Sequence, residues 1–122
     1  MSYNHTLLFQ RISDRLRESP RSSIRRLAGE LGISRRTIQL VVSTQAGKSF
    51  SALQEESLMK MVRQLFIAHP GLAIKEVSFS VGFCSPRSFA RAVKRACGLS
   101  PEELRSCVAR VSFRRQSVNE LL

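Results

Sequence analysis

Cysteine is scarce in this chain and badly spaced for chemistry: Cys84, Cys97 and Cys107 are odd in number and form no C-x-x-C pair. Only His5 and His69 could join them through ring nitrogens. The composition therefore argues against both a disulfide framework and a zinc site, and no metal or cofactor is expected. The thiols are read as small buried or half-buried side chains in a reducing compartment. Long apolar runs are missing too, and none reaches the length that spans a bilayer. The opening MSYNHTLLFQR lacks the basic segment, apolar stretch and small-residue cleavage site of a secretory signal, so a cytoplasmic protein is expected. With 122 residues the chain is too short for a multidomain enzyme.

Acid is the most informative shortage. Nine Asp and Glu face 20 Lys and Arg, a formal net charge of +11, which selects polyanions as partners: nucleic acid first, an anionic membrane surface second. A hydrophobic content of 43% with 24% charged residues is the balance of a folded domain and not of a disordered basic tail.

Strand signals are nearly absent, and the apolar residues recur at helical spacing between breaks of Gly, Pro or Ser, which predicts an all-α fold. A first helix from about Thr6 to Glu18 carries Leu8, Phe9, Ile12 and Leu16 on one face and stops at Ser19-Pro20. Ser23 caps a second, in which Ile24, Leu27, Ala28 and Leu31 share a face before Gly32. Ser34 caps a third, with Ile33 and Ile38 placed as a hydrophobic staple. The longest run, Phe50, Leu53, Leu58, Met61, Val62 and Leu65, predicts one long helix ending near His69-Pro70-Gly71. A fifth helix holds Ile74, Val77, Ser78 and Val81, a sixth opens at Ser85-Pro86, and Ser100-Pro101 with Glu103 marks a seventh. That helix can continue through Val108 and Val111. Ser112 to Asn119 shows no clear period and is left without an element.

Two segments repeat. IRRLAGELGIS from Ile24 and IKEVSFSVGFCS from Ile74 align with every apolar position and the glycines Gly32 and Gly82 in register. After one extra residue, Cys84, Ser34 pairs with Ser85, Ile38 with Phe89 and Val42 with Val93. Each copy reads as helix, glycine turn, capped helix, the plan of a helix-turn-helix. Two plain helical hairpins would show similar spacing, so the outward faces must separate the readings. With Ile38 and Val42 inward, the third helix turns out Arg36, Gln39, Leu40 and Ser43, with Arg35 at the edge. With Phe89 and Val93 inward, the sixth turns out Arg87, Ala90, Arg91 and Lys94. Neither face holds an acid. Arg and Gln can pair with guanine and adenine edges, Leu and Ala can meet a thymine methyl, and Lys suits phosphate.

These residues resemble the DNA-binding domain of the AraC/XylS family of bacterial transcription regulators. The resemblance covers about Leu7 to Arg105 and is carried by LAGELGIS at Leu27, GKSF at Gly47 and above all IKEVSFSVGFCSPRSFARAVKRACGLSPEELR at Ile74. It implies seven helices forming a tandem helix-turn-helix: a first subdomain over 1–47, a linker helix over 48–69, a second subdomain over 70–111 and a tail over 112–122. It also implies that helices 34–43 and 85–97 enter adjacent major grooves. The DNA-facing residues would be Arg35, Arg36, Gln39, Leu40, Ser85, Arg87, Arg91 and Lys94. Double-stranded DNA and RNA polymerase are the implied partners, on the nucleoid, with binding as a monomer through both units open to it. The sequence departs from the family at Ala73, where a capping Ser or Thr is usual, at Glu55 and Glu56, where arginines are common, and at Val42 and Val93, where Phe is more usual.

Other classes are weighed against this reading. Cys84 lies near a helix start beside Arg87, but no His or acid is placed to assist it, so no catalytic residue and no enzyme is expected. A redox-responsive DNA-binding protein using Cys84 is an alternative, as is a fragment of a longer effector-responsive regulator. Membrane binding by the first helix, with Arg11, Arg15 and Arg17 beside its apolar stripe, would uncover the core and is set aside.

Overall fold

The computed structural model describes residues 4–121, with side chains through Val111. Among these are seven helices: α1 (His5–Glu18), α2 (Ile24–Leu31), α3 (Arg35–Ala46), α4 (Phe50–Ala68), α5 (Ile74–Ser80), α6 (Pro86–Cys97) and α7 (Pro101–Leu121). None is long and apolar enough to cross a membrane among the described residues. The segment left unassigned after Val111 continues α7 as helical backbone to Leu121, and the side chains of the expected tail lie outside the described residues. Two compact units divide at Leu58 and Met59, within α4.

Helix starts follow the serines. Ser23, Ser34, Ser49, Ser85 and Ser100 each accept, through the hydroxyl, from the backbone N–H three residues on, at 3.1 to 3.2 Å. Asn4 does the same for α1 through Oδ1 at 3.2 Å. Ala73 precedes α5 in the same extended conformation, φ −62° and ψ 142°, and has no side chain to offer.

In the first unit α1 and α2 both pack on α3. Leu8, Ile12, Leu16, Leu27, Ala28, Ile38, Val41, Val42 and Phe50 form the buried core, with Phe9, Ile24, Leu31 and Ile33 against it. In the second, α5 and α7 pack on α6, and Val77, Val81, Phe83, Phe89, Ala92, Val93 and Leu104 are buried. Val41 and Ala92 widen the inward faces beyond the expected pairs Ile38 with Val42 and Phe89 with Val93.

The repeat holds at the level of hydrogen bonds. Gly32, left-handed at φ 67°, lets the Ile33 N–H reach back to the Ala28 carbonyl at 3.1 Å. Gly82, at φ 97°, lets the Phe83 N–H reach the Ser78 carbonyl at 3.0 Å. The extra residue Cys84 is taken up before α6, where the cap Ser85 sits at φ −149° against −76° for Ser34. A further pairing extends the repeat beyond its sequence signature. Gln54 Nε2 on α4 donates to the Ser22 carbonyl at 2.6 Å, and Arg105 Nη1 on α7 donates to the Leu72 carbonyl at 3.0 Å. Ser22 and Leu72 are equivalent in the repeat, as are Gln54 and Arg105 once the Cys84 insertion is counted.

The start of α7 closes reciprocally: the Ser100 N–H donates to Glu103 Oε1 at 3.1 Å while the Glu103 N–H donates to Ser100 Oγ at 3.2 Å. The bond from the Ser100 N–H, then the Ser100 side chain, holds the Glu103 carboxyl below its ordinary range against desolvation, with the charge of Lys94 as the least of the contributions.

Two outcomes follow from these ends. Ala73→Ser should supply the missing cap and raise stability by about 0.5–2 kcal/mol, read as a higher urea midpoint at unchanged m-value. Glu103 has a lowered pKa when folded, so its contribution is complete above the ordinary glutamate pKa and disappears as pH falls through the lowered one. Denaturation midpoints from neutral to acid pH should therefore fall less steeply for Glu103→Gln, which keeps an acceptor but carries no charge.

Candidate nucleic-acid interface

The third helix is fixed at its start and along one side. Ser34 Oγ takes the Thr37 N–H at 3.1 Å and lies 2.8 Å from Thr37 Oγ1. Ile38, Val41 and Val42 are completely buried. The expected outward residues Arg35, Arg36, Gln39, Leu40 and Ser43 are all exposed, with Leu40 at 56%, and Thr44 and Gln45 extend the exposed face toward the helix end. A leucine so exposed, flanked by Arg and Gln, adds an apolar contact to a hydrogen-bonding face.

The sixth helix repeats the construction with more charge. Ser85 Oγ accepts from the Ser88 N–H at 3.2 Å and donates to Ser88 Oγ at 3.1 Å, so its hydroxyl is committed to the cap and the residue is half-buried. Pro86 fits the first turn, where no N–H is needed. Phe89 packs edge-to-face on Phe83, centroids 5.4 Å apart at 63°, and with Ala92 and Val93 holds α6 down. Arg87, Arg91 and Lys94 are exposed, and Ala90 is half-buried. Arg95 is exposed as well and was missed in the sequence, although it stands four residues after Arg91, on a neighbouring strip of the helix.

The charges are sorted. Of the seven helices among the described residues, only α3 and α6 contain no Asp or Glu. The ion pairs lie elsewhere: Arg15 meets Glu18 at 4.0 Å and Glu30 at 3.8 Å, Arg17 meets Asp14 at 3.6 Å, Arg26 meets Glu30 at 3.1 Å, and Lys48 pairs with Glu56. No cation of α3 or α6 is in an ion pair among the described residues, although Lys94 is close enough to Glu103 to draw on its charge. Unpaired cations over a rigid apolar backing, with neutral hydrogen-bonding and methyl-contacting groups between them, suit a duplex groove and its phosphates.

No cluster of three or more His, Cys, Asp or Glu could hold a metal among the described residues. Cys97 is half-buried, its thiol donating to the Val93 carbonyl at 3.3 Å. Cys84 and Cys107 are exposed, against the expectation of buried or half-buried thiols. Cys84 is the inserted residue between Phe83, whose N–H is held by the turn, and the cap Ser85, outside the packed face of either helix. Cys107 falls on the solvent side of the line on α7 marked by buried Leu104 and half-buried Val108.

Comparison with known proteins bears on this geometry. The family model described as "Helix-turn-helix domain" matches residues 27–106. The C-terminal domain of AraT, a response regulator from Geobacillus stearothermophilus, is similar at 23% identity, covering 80% of this chain and 83% of that one with a TM-score of 0.71. A DNA-binding transcriptional dual regulator from Escherichia coli K-12 is similar at 25% identity, covering 82% and 90% with a TM-score of 0.66. The C-terminal domain of the two-component response regulator yesN from Fusobacterium nucleatum is similar at 19% identity, covering 84% and 99% with a TM-score of 0.70. No curated protein sequence matches the chain.

Proposed function

The chain belongs to the AraC-type helix-turn-helix family of DNA-binding transcription regulator domains, and from that premise we propose that it reads a specific duplex site with α3 and α6 in successive major grooves. The observation that carries the reading is the set of cations in no ion pair, with no acid among them, on the outward faces of these two helices. At promoters the domain would act in the cytoplasm beside RNA polymerase. No residue is assigned a catalytic role.

The two units divide the work. On α3, Gln39 can pair bidentately with adenine, Leu40 can meet a thymine methyl, and Arg36 can pair with guanine. Along α6, Arg87, Arg91 and Lys94 supply charge for phosphates, with Arg95 beside them. Ser85 contributes by placing the helix start, since its hydroxyl is already bonded to Ser88.

Gln39→Ala should cost about 1–3 kcal/mol at one base pair and leave the salt dependence of binding almost unchanged. Lys94→Ala should weaken binding to all duplexes alike and lower the slope of log affinity against log salt by about 1. Titrating both variants on a selected site and its single-base variants at two salt concentrations checks the division; base preference retained in Gln39→Ala would reject it. Selection from random duplexes should return two sequence blocks with centres about 10 bp apart. Inserting about half a helical turn between them should nearly abolish specific binding, whereas indifference to spacing would mean that one unit alone reads DNA.

A further inference from the structure

A cationic surface also lies outside α3 and α6. From Ser57 to Lys75 the chain has no Asp or Glu, a stretch that takes in the second half of α4. Met59, Val62 and Phe66 are buried there and fix the rotation of the helix. Away from them Lys60, Arg63, Gln64 and Ile67, spaced i, i+3, i+4 and i+7, form one exposed strip, and Ala68 at its end is exposed as well. Neither Lys60 nor Arg63 is in an ion pair among the described residues. Glu56, the nearest acid before the stretch, is held by Lys48. Ile67 is 56% exposed, as far out in solvent as Leu40.

The strip is cationic at its start and apolar at its end. Phosphates alone would engage Lys60 and Arg63 and leave Ile67 and Ala68 against water. A second helix that carries carboxylates beside an apolar row meets both halves, because facing helices repeat their side chains at the same spacing. The hydrocarbon stems of Lys60 and Arg63 add to the contact while their charged heads pair at its rim. We propose that the second half of α4 is a docking surface for an acidic amphipathic helix of a partner protein. The apolar row of that helix lies on Ile67 and Ala68, and its carboxylates face Lys60 and Arg63. Charge complementarity selects this occupant over a second copy, since the chain itself carries +11. The strip shares no residue with the outward faces of α3 and α6, so it is a surface additional to the one that reads DNA.

The test starts from a displayed library of random helical peptides selected on the full chain. Enriched peptides are synthesised and titrated against the wild type, Ile67→Ser and the double variant Lys60→Gln/Arg63→Gln. In parallel, affinity for a random-sequence duplex is measured over a range of salt concentrations, and amide resonances of the wild type are followed as peptide is added. Enriched peptides should combine Asp or Glu with apolar residues at helical spacing and should shift the amides of Lys60 to Ala68. Each variant should lose about tenfold or more in peptide affinity while duplex affinity and salt slope stay at the wild-type value. A selection that enriches nothing, peptides without an excess of acid, shifts confined to other elements, or variants that bind peptide as the wild type does overturn the proposal. A double variant whose salt slope for duplex falls by about 2 makes the strip a phosphate contact and overturns it too. The amide shifts are read on the unaltered chain, so they decide the matter even where a variant folds poorly.

Discussion

One backbone hydrogen bond in each unit sets the angle at which the second helix of the motif leaves its support. The Ile33 N–H reaches the Ala28 carbonyl only because Gly32 takes a left-handed φ of 67°, and Phe83 reaches Ser78 past Gly82 in the same way. A side chain with a Cβ is strained at such a φ. Everything downstream inherits that angle. Ser34 and Ser85 begin the next helix a few atoms later, the inward rows Ile38, Val41, Val42 and Phe89, Ala92, Val93 meet their cores, and the opposite rows face solvent by default.

A second constraint holds the near end of each unit. Gln54 and Arg105 occupy equivalent positions on α4 and α7 and grasp equivalent carbonyls, Ser22 and Leu72, just ahead of the supporting helices. An amide serves in one unit and a guanidinium in the other, so the geometry is shared while the chemistry of the donor is free to change. The charge pattern obeys the same separation of frame from surface. Every Asp and Glu within the helices lies on the other five, Glu30 and Glu56 holding Arg15, Arg26 and Lys48 among them, while α3 and α6 carry none.

Much of this was legible in the sequence because it is local. Gly32, Ser34, Ser85-Pro86 and the Ser100–Glu103 pair announce helix ends through bonds that span three to five residues, and the structure has all of them. The outward rows of α3 and α6 were legible because two inward residues on a helix fix the rotation of the rest. The Gln54 and Arg105 contacts were not, since they join polar residues 32 and 33 positions apart and leave no periodic trace. Exposure of Cys84 and Cys107 was also hidden, because residue type gives a tendency to burial and only the turn and the face of α7 decide the outcome. The continuation of α7 to Leu121 runs through a segment whose apolar residues show no helical period.

The residue that spoils perfect register between the repeats, Cys84, has a consequence for how such a chain can diverge after internal duplication. The turn bond closes before it and the serine cap closes after it, and the cap that follows the extra residue sits at φ −149° in Ser85 against −76° in Ser34. Insertions and deletions between those two closures leave both the supporting helix and the cap intact. A lineage can therefore change the length of chain leading to the second helix of the motif without rebuilding its core, a heritable degree of freedom separate from substitution on that helix's exposed face.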